Sequence, residues 1–225
     1  MLKNNRIDTI VNLINNKEAV IADVGSDHAF LAIKLLQQHR VKHVYNIEIN
    51  ELPLNNTITN LQKHSLLSQT TNVINDGLNN WKLTDHFNYV TISGMGAKTI
   101  ADIIKNKPIS LKVDYFIVVP NNNAHILRKL FADNKYSIIH ESIIYENGYY
   151  YELIECSTNP NEGLVISNEK DIYFGPVNLK ENTELFKKKN IARYNYINNE
   201  SILKFNSSLK KERDILHEWN QKNNN

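Results

Sequence analysis

Four turns in this chain carry residues that could do chemistry, and each follows a short β-branched run: Asp23-Val24-Gly25-Ser26-Asp27-His28, Glu48, Asp76-Gly77 and Ser93-Gly94-Met95-Gly96. In an open parallel sheet, ligands bind outside the carboxyl ends of the strands, so four such turns would face one crevice. Gly25 allows the backbone to approach a ligand, and the helix that follows offers free N–H groups. A dinucleotide fingerprint would place three glycines here, whereas this loop holds Ser26, Asp27 and His28. Asp27 would repel a pyrophosphate but would suit a cationic ligand, and S-adenosylmethionine carries both a sulfonium and an ammonium. His28 could meet the ligand's carboxylate or cap the next helix.

Glu48 stands twenty-five positions beyond Asp23. At that distance an acid can accept both hydroxyls of an adenosine ribose, or it can be a surface acid at a helix start. Asp76 could accept from an adenine amino group while Gly77 lets the ring lie against the backbone. Gly94 and Gly96 flank Met95 in a tight turn that would sit beside a reaction centre, or would only link a strand to a helix. Asn121 could bond a base edge or satisfy a turn. The histidines show no metal-ligand spacing and Cys156 is the one cysteine, so no metal and no disulfide framework are expected.

The elements that position these turns follow from periodicity. Ile7, Ile10, Val11 and Ile14 give an opening amphipathic helix. Strands are expected at 19–24, 43–49, 72–75, 87–93 and 113–119, alternating with helices at 31–36, 52–64, 97–106 and from Asn123 to Asp133. Strands at 136–145 and 149–156 are joined by Glu146-Asn147-Gly148, a hairpin signal. Alternation of this kind builds right-handed crossovers and a mainly parallel α/β sheet, here closed by an antiparallel hairpin as in Rossmann-like class I methyltransferases. Residues 157–163 read as a linker, which divides the chain into 1–160 and 161–225. Leu185, Phe186, Tyr194 and Ile197 form one helical stripe. Ile202, Phe205, Leu209, Leu216 and Trp219 form another, and the pair is expected to be an antiparallel coiled coil.

The chain has 225 residues, 41% hydrophobic and 22% charged, enough to bury a core. It lacks an apolar run long enough for a membrane span, and the N-terminus does not read as a signal peptide, so a cytoplasmic protein is expected. Net charge is +2 overall, but residues 180–213 hold nine Lys/Arg against four Glu. That excess, which includes Lys187, Lys188 and Arg193, would attract a polyanion or simply solvate a helical face.

The runs Ile21-Ala22-Asp23-Val24-Gly25-Ser26-Asp27-His28-Ala29-Phe30-Leu31, Asp76-Gly77-Leu78, Ile92-Ser93-Gly94-Met95-Gly96 and Val119-Pro120-Asn121 together resemble the bacterial tRNA (adenine(22)-N1)-methyltransferases, the TrmK family. Glu152 and Phe174-Gly175-Pro176-Val177 also fit. Ala97 stands where the family usually has a third glycine, Phe30 where it has Tyr, and Val119 where Gln often precedes Pro-Asn. The resemblance implies a methyltransferase domain that binds S-adenosylmethionine, a helical tail that helps to hold tRNA, and a monomer. By motif, Asp23, Gly25, Asp27, His28, Glu48, Asp76, Gly77 and Gly94 lie around the cofactor. Met95, Gly96, Asn121, Lys187, Lys188 and Arg193 lie on the RNA side. Asp76 is the candidate catalytic acid, or is confined to the cofactor. A methyltransferase of another substrate and a non-catalytic RNA- or protein-binding module remain as alternatives. The missing glycines set a nicotinamide oxidoreductase last.

Overall fold

The computed structural model describes residues 6–198 and 207–223. Helix α1 (Arg6–Leu13) leads into strand β1 (Val20–Val24), followed by α2 (Phe30–Gln37), β2 (His43–Glu48), α3 (Glu51–Lys63), β3 (Thr70–Ile74), β4 (His86–Ser93), α4 (Ala97–Lys105), β5 (Lys112–Val119) and α5 (His125–Asp133). The hairpin β6 (Ser137–Glu146) and β7 (Tyr149–Ser157) comes next. Helices α6 (Glu169–Phe174), α7 (Pro176–Glu181), α8 (Glu184–Ile197) and α9 (Ser207–Asn223) close the chain.

The seven strands pair in the order β3-β2-β1-β4-β5-β7-β6. The first five are parallel, and β7 runs antiparallel to both β5 and β6. The strand spans expected from the sequence fall within two residues of those observed. The central strands bury apolar side chains such as Ile21, Val90 and Ile117 on both faces because helices cover both sides of the sheet. One core holds Ile10, Val11 and Ile14 beside α1 together with Leu35 and Leu36 of α2. The other holds Ile100 and Ile104 of α4 with Leu127 and Phe131 of α5.

Two features of this sheet build the site. All five parallel strands end at one edge, so the turns after them are neighbours in strand order. The hairpin also overshoots that edge: β5 pairs with β7 only up to Ile154, while β7 begins at Tyr149. Asn147 and Gly148 both take left-handed backbone conformations, as a two-residue hairpin turn needs. The hairpin tip therefore stands beyond the carboxyl edge.

Ser157–Gly163, read as a linker, is tied down. Ser157 Oγ donates to Glu162 at 2.6 Å, and Leu164 and Ile138 exchange backbone hydrogen bonds at 2.8 and 2.9 Å. Helices α8 and α9 run antiparallel, with Arg193 against Glu212 and Phe186 against Trp219. Their seam is shared with the sheet domain, since Phe174 of α6 and Ile143 of β6 enter the same cluster as Phe186, Ile197, Leu216 and Trp219. A helix reversal is expected near 198–201; apart from Asn198, that segment and Ile202 and Phe205 lie outside the described residues.

Candidate active site

The loop after β1 is the tightest part of the carboxyl edge. Gly25 has φ of +75°, and a Cβ there would lie 2.4 Å from the Met95 methyl. Only glycine combines that backbone with so close an approach, so the turns after β1 and β4 meet through Gly25 and Met95. His28 and Ala29 also take positive φ, 64° and 58°, in the short 3₁₀ turn that leads into α2. Two adjacent non-glycine residues held in that region are the kind of strain that persists at ligand sites. His28 does not cap α2, because that helix has no side-chain cap.

Asp23 is buried at the end of β1, where Thr91 Oγ1 donates to its Oδ1 at 2.8 Å. Burial pushes the Asp23 carboxyl up to about 7; the Thr91 hydroxyl resists the rise and the Glu48 charge adds to it. Glu48 sits one layer behind the loop, where its Oε1 accepts from Ser26 Oγ at 3.0 Å and from the Asp27 N–H at 2.8 Å. Its Oε2 has no hydrogen bond among the described residues. The Asp27 carboxylate itself points outward.

Part of this loop borders a cleft of about 390 Å³, whose lining does not include Glu48 or His28. Asp23, Gly25, Ser26, Asp27, Ser93 and Gly94 form its sheet side, Arg6, Ile7 and Ile10 of α1 its roof, and Phe30, Glu146 and Asn147 its rim. The sequence by itself leaves Arg6 either facing the cleft or the RNA, or, as the safer reading, an exposed charge of the first helix. The structure places it over the cleft, bonded to Glu146 at 2.6 Å, with its guanidinium 4.1 Å from the centre of the Tyr151 ring. Arg6 is the one Lys or Arg among the described residues that line the cleft, and Glu146 already engages it. The cavity is thus acidic on balance and suits a ligand that carries positive charge.

The remaining expected positions separate into groups. Asn121 joins the β5 turn to the β4 turn: its side-chain amide donates to the Gly94 carbonyl at 2.7 Å and its backbone N–H to the Met95 carbonyl at 2.8 Å. Gly96 takes ordinary backbone as the residue before α4. Asp76 follows the edge strand β3, with β2 and β1 between it and β4. At the spacing of neighbouring strands this sets the Asp76 and Gly94 turns roughly 14 Å apart. Asp76 is exposed and borders a small hollow against α4, and Gly77 is buried beneath Ile103. Ile49, Leu52 and Ile74 are exposed at the same end of the sheet, 61%, 73% and 49% respectively, an apolar ledge at the β2 and β3 end of the edge.

On the helical tail, Lys187 pairs with Glu184 at 3.0 Å. Arg193 is forked onto Glu212 at 2.7 and 2.8 Å. Lys188 is exposed with no ion pair among the described residues. No described helix is long and apolar enough to cross a membrane, and no three His, Cys, Asp or Glu among the described residues are placed to hold a metal ion.

One cluster is only partly legible in the sequence. Arg128 of α5 is fully buried, with Nε on Glu141 at 2.6 Å and Nη2 on Glu152 at 2.7 Å, and Lys189 of α8 reaches Glu152 at 2.6 Å. Glu141 also accepts from the N–H groups of Val177 and Asn178 at the start of α7. Gly175 turns with φ of +88° directly over it, where a Cβ would lie 2.2 Å from its oxygens. Glu152 and the run 174–177 are singled out by the family resemblance, but only an arginine among Leu127, Leu130 and Phe131 and a glutamate inside the apolar run of β6 hint at their partners.

A doubly wound sheet of this order, with an acidic single-glycine turn after its central strand, defines a Rossmann-like methyltransferase. The chain belongs to the tRNA (adenine(22)-N(1))-methyltransferase family, whose model matches residues 21–224. It is 30% identical over 187 residues to the tRNA (adenine(22)-N(1))-methyltransferase of Bacillus subtilis, covering 82% of this chain and 78% of that protein. Among solved structures it resembles Mycoplasma capricolum TrmK in complex with S-adenosylhomocysteine, with a TM-score of 0.81 and 29% identity over 95% of this chain and 96% of that one. It also resembles a Rossmann-superfamily protein from Streptococcus agalactiae, with a TM-score of 0.84 and 29% identity over 97% of each chain.

Proposed function

We propose that this protein transfers the methyl group of S-adenosylmethionine to N1 of adenine 22 in the D-arm region of tRNA. The observation that carries the reading is the acidic cleft at the carboxyl edge, built from Asp23, Gly25, Asp27 and Gly94, in a chain of this family. The cofactor fits the residues present. Gly25 lets the Met95 turn close against the loop, the acids match a sulfonium and an ammonium, and Glu48 keeps one oxygen for ribose hydroxyls. Ile49, Leu52 and Ile74 offer an apolar seat for an adenine ring, with Asp76 beside it to accept from its amino group. This assigns Asp76 to the cofactor, since two strands separate it from the Gly94 turn.

Bound there, the cofactor supplies a methyl group on a cationic sulfur. Adenine N1 has an in-plane lone pair and needs no strong base; it needs alignment and release from the RNA stack. Gly94, Met95 and Gly96 form the wall on which the base would rest. Asn121, pinned to that wall through its amide nitrogen, keeps a carboxamide oxygen for the base's amino group. Residues 1–160 would hold the cofactor and 161–225 would grip RNA, in a cytoplasmic monomer.

Incubation with unmodified tRNA and S-adenosylmethionine should place a reverse-transcription stop at nucleotide 22. Methyl transfer to RNA elsewhere, or none, would overturn the assignment. Absence of cofactor binding by calorimetry would favour a non-catalytic module. For the tail, Lys187→Glu with Lys188→Glu should weaken tRNA binding. The variant should also flatten the slope of log affinity against log salt by roughly 0.7–0.9 for each phosphate the two lysines no longer neutralise. An unchanged slope would remove these two lysines from the RNA interface.

A further inference from the structure

A second cavity, about 530 Å³, is bordered by Asn121, the residue bonded to Gly94. Its walls come from Asn121–His125 after β5, Gly148–Tyr150 and Glu152 of the hairpin, Tyr173 of α6, and helices α8 and α9. Asn121 borders it while bonding Gly94 of the first cleft, so one side chain links the two.

The chemistry of this lining is specific. Tyr149, Tyr150, Tyr173 and Tyr196 contribute to it, with Tyr149 68% and Tyr196 60% exposed. Its cations are already engaged, Lys189 by Glu152 and Arg193 by Glu212. A phosphate would have to displace those carboxylates, one of which is well ionised: burial alone would raise Glu152, but Lys189 and Arg128 hold it at about 2. A flat, uncharged group meets no such competition. The side-chain amides of Asn122 and Asn123 are exposed and make no hydrogen bond among the described residues, and a carboxamide presents a donor and an acceptor that match a base edge. Aromatic faces and free amides together are the means by which proteins hold unstacked bases.

We propose that this cavity receives an unstacked nucleobase of the substrate RNA other than the target adenine, so that the RNA is also gripped beside the Gly94–Gly96 turn on which the target base rests. The proposal rests on the RNA-methylating reading, so binding and methyl transfer are measured separately. Binding is read from the fluorescence anisotropy of a labelled D-arm RNA with S-adenosylhomocysteine present. Tyr149→Ala and Tyr196→Ala should each weaken RNA binding and raise KM for tRNA about tenfold or more, with S-adenosylmethionine affinity unchanged. Tyr149→Phe and Tyr196→Phe should restore both. Asn122→Asp, at an exposed loop position, should weaken RNA binding with no change in thermal unfolding.

Wild-type RNA affinity and KM in both alanine variants and in Asn122→Asp would overturn the proposal. RNA binding that depends on these residues without methyl transfer by the wild type would uphold the cavity and defeat the enzymatic reading. An inability of the wild type to bind the RNA would defeat both.

Discussion

Replacing Arg128 with alanine will remove about 3–5 kcal/mol of folding stability, the cost of leaving buried carboxylates without their cation. Glu141 is wholly buried and has Arg128 as its one cationic partner among the described residues, so the variant must protonate that carboxyl, admit water or unfold. Glu152 keeps Lys189, so Glu141 carries most of the loss. Two further consequences separate this from an ordinary cavity. The Arg128 guanidinium also donates to the carbonyls of Ile172 and Tyr173 at 3.5 and 3.3 Å, so the turn between α6 and α7 loosens along with the sheet. The acid limb also changes. With its pKa held at about 2 and an ordinary value of 4.5, Glu152 contributes stability that is fully present above about 4.5 and lost as pH falls through about 2. Arg128→Ala should narrow that window. Urea titrations at pH 7 and pH 3 measure both effects, and a variant within 1 kcal/mol of wild type at pH 7 would show that the cluster is not buried as described.

That cluster also marks the limit of what the sequence discloses. The turns at Gly25, Glu48, Asp76 and Gly94 are legible because alternating strands and helices must bring strand ends to one edge, whatever the strand order. The order itself is not legible. It decides that Asp76 stands at the far end of the edge from Gly94, and that the β6–β7 tip rises beside α1. The hairpin turn is readable from Glu146-Asn147-Gly148, but its overshoot depends on where β5 stops. The sequence therefore leaves Arg6 open between a cleft-facing residue and a surface charge, and Glu146 and Tyr151 fix it over the cleft. The Lys187–Lys189 run looks uniform in sequence. Helical rotation gives its three members different surroundings: Glu184 beside Lys187, solvent around Lys188 and the buried Glu152 beneath Lys189.

Asp23→Asn should make the free protein more stable at pH 8 while cofactor affinity falls by about a hundredfold. The two changes have one cause. The Asp23 carboxyl ordinarily loses its proton near 3.8, but in the fold it holds it to about 7. Between those values the native state binds more proton than the unfolded chain, so stability falls as pH rises from about 4 to 7 and then stays low. A gap of this size corresponds to a few kcal/mol at ~1.4 kcal/mol per pH unit. Asparagine keeps an oxygen for the Thr91 hydroxyl and carries no charge, so that loss disappears. Glu155, likewise pushed up to about 7 by burial, contributes with the same sign and preserves part of the slope in the variant. For the ligand the sign reverses. A cationic cofactor favours the ionised carboxylate, so wild-type affinity should strengthen as pH rises through about 7, whereas the variant's profile should be flat over that range. Calorimetric titration of S-adenosylmethionine from pH 6 to 8.5, alongside urea unfolding of the free protein, reads both quantities. A variant that binds the cofactor as tightly as wild type would remove Asp23 from the binding site. One that is less stable than wild type at pH 8 would show that the buried carboxylate is compensated by contacts its asparagine counterpart cannot make.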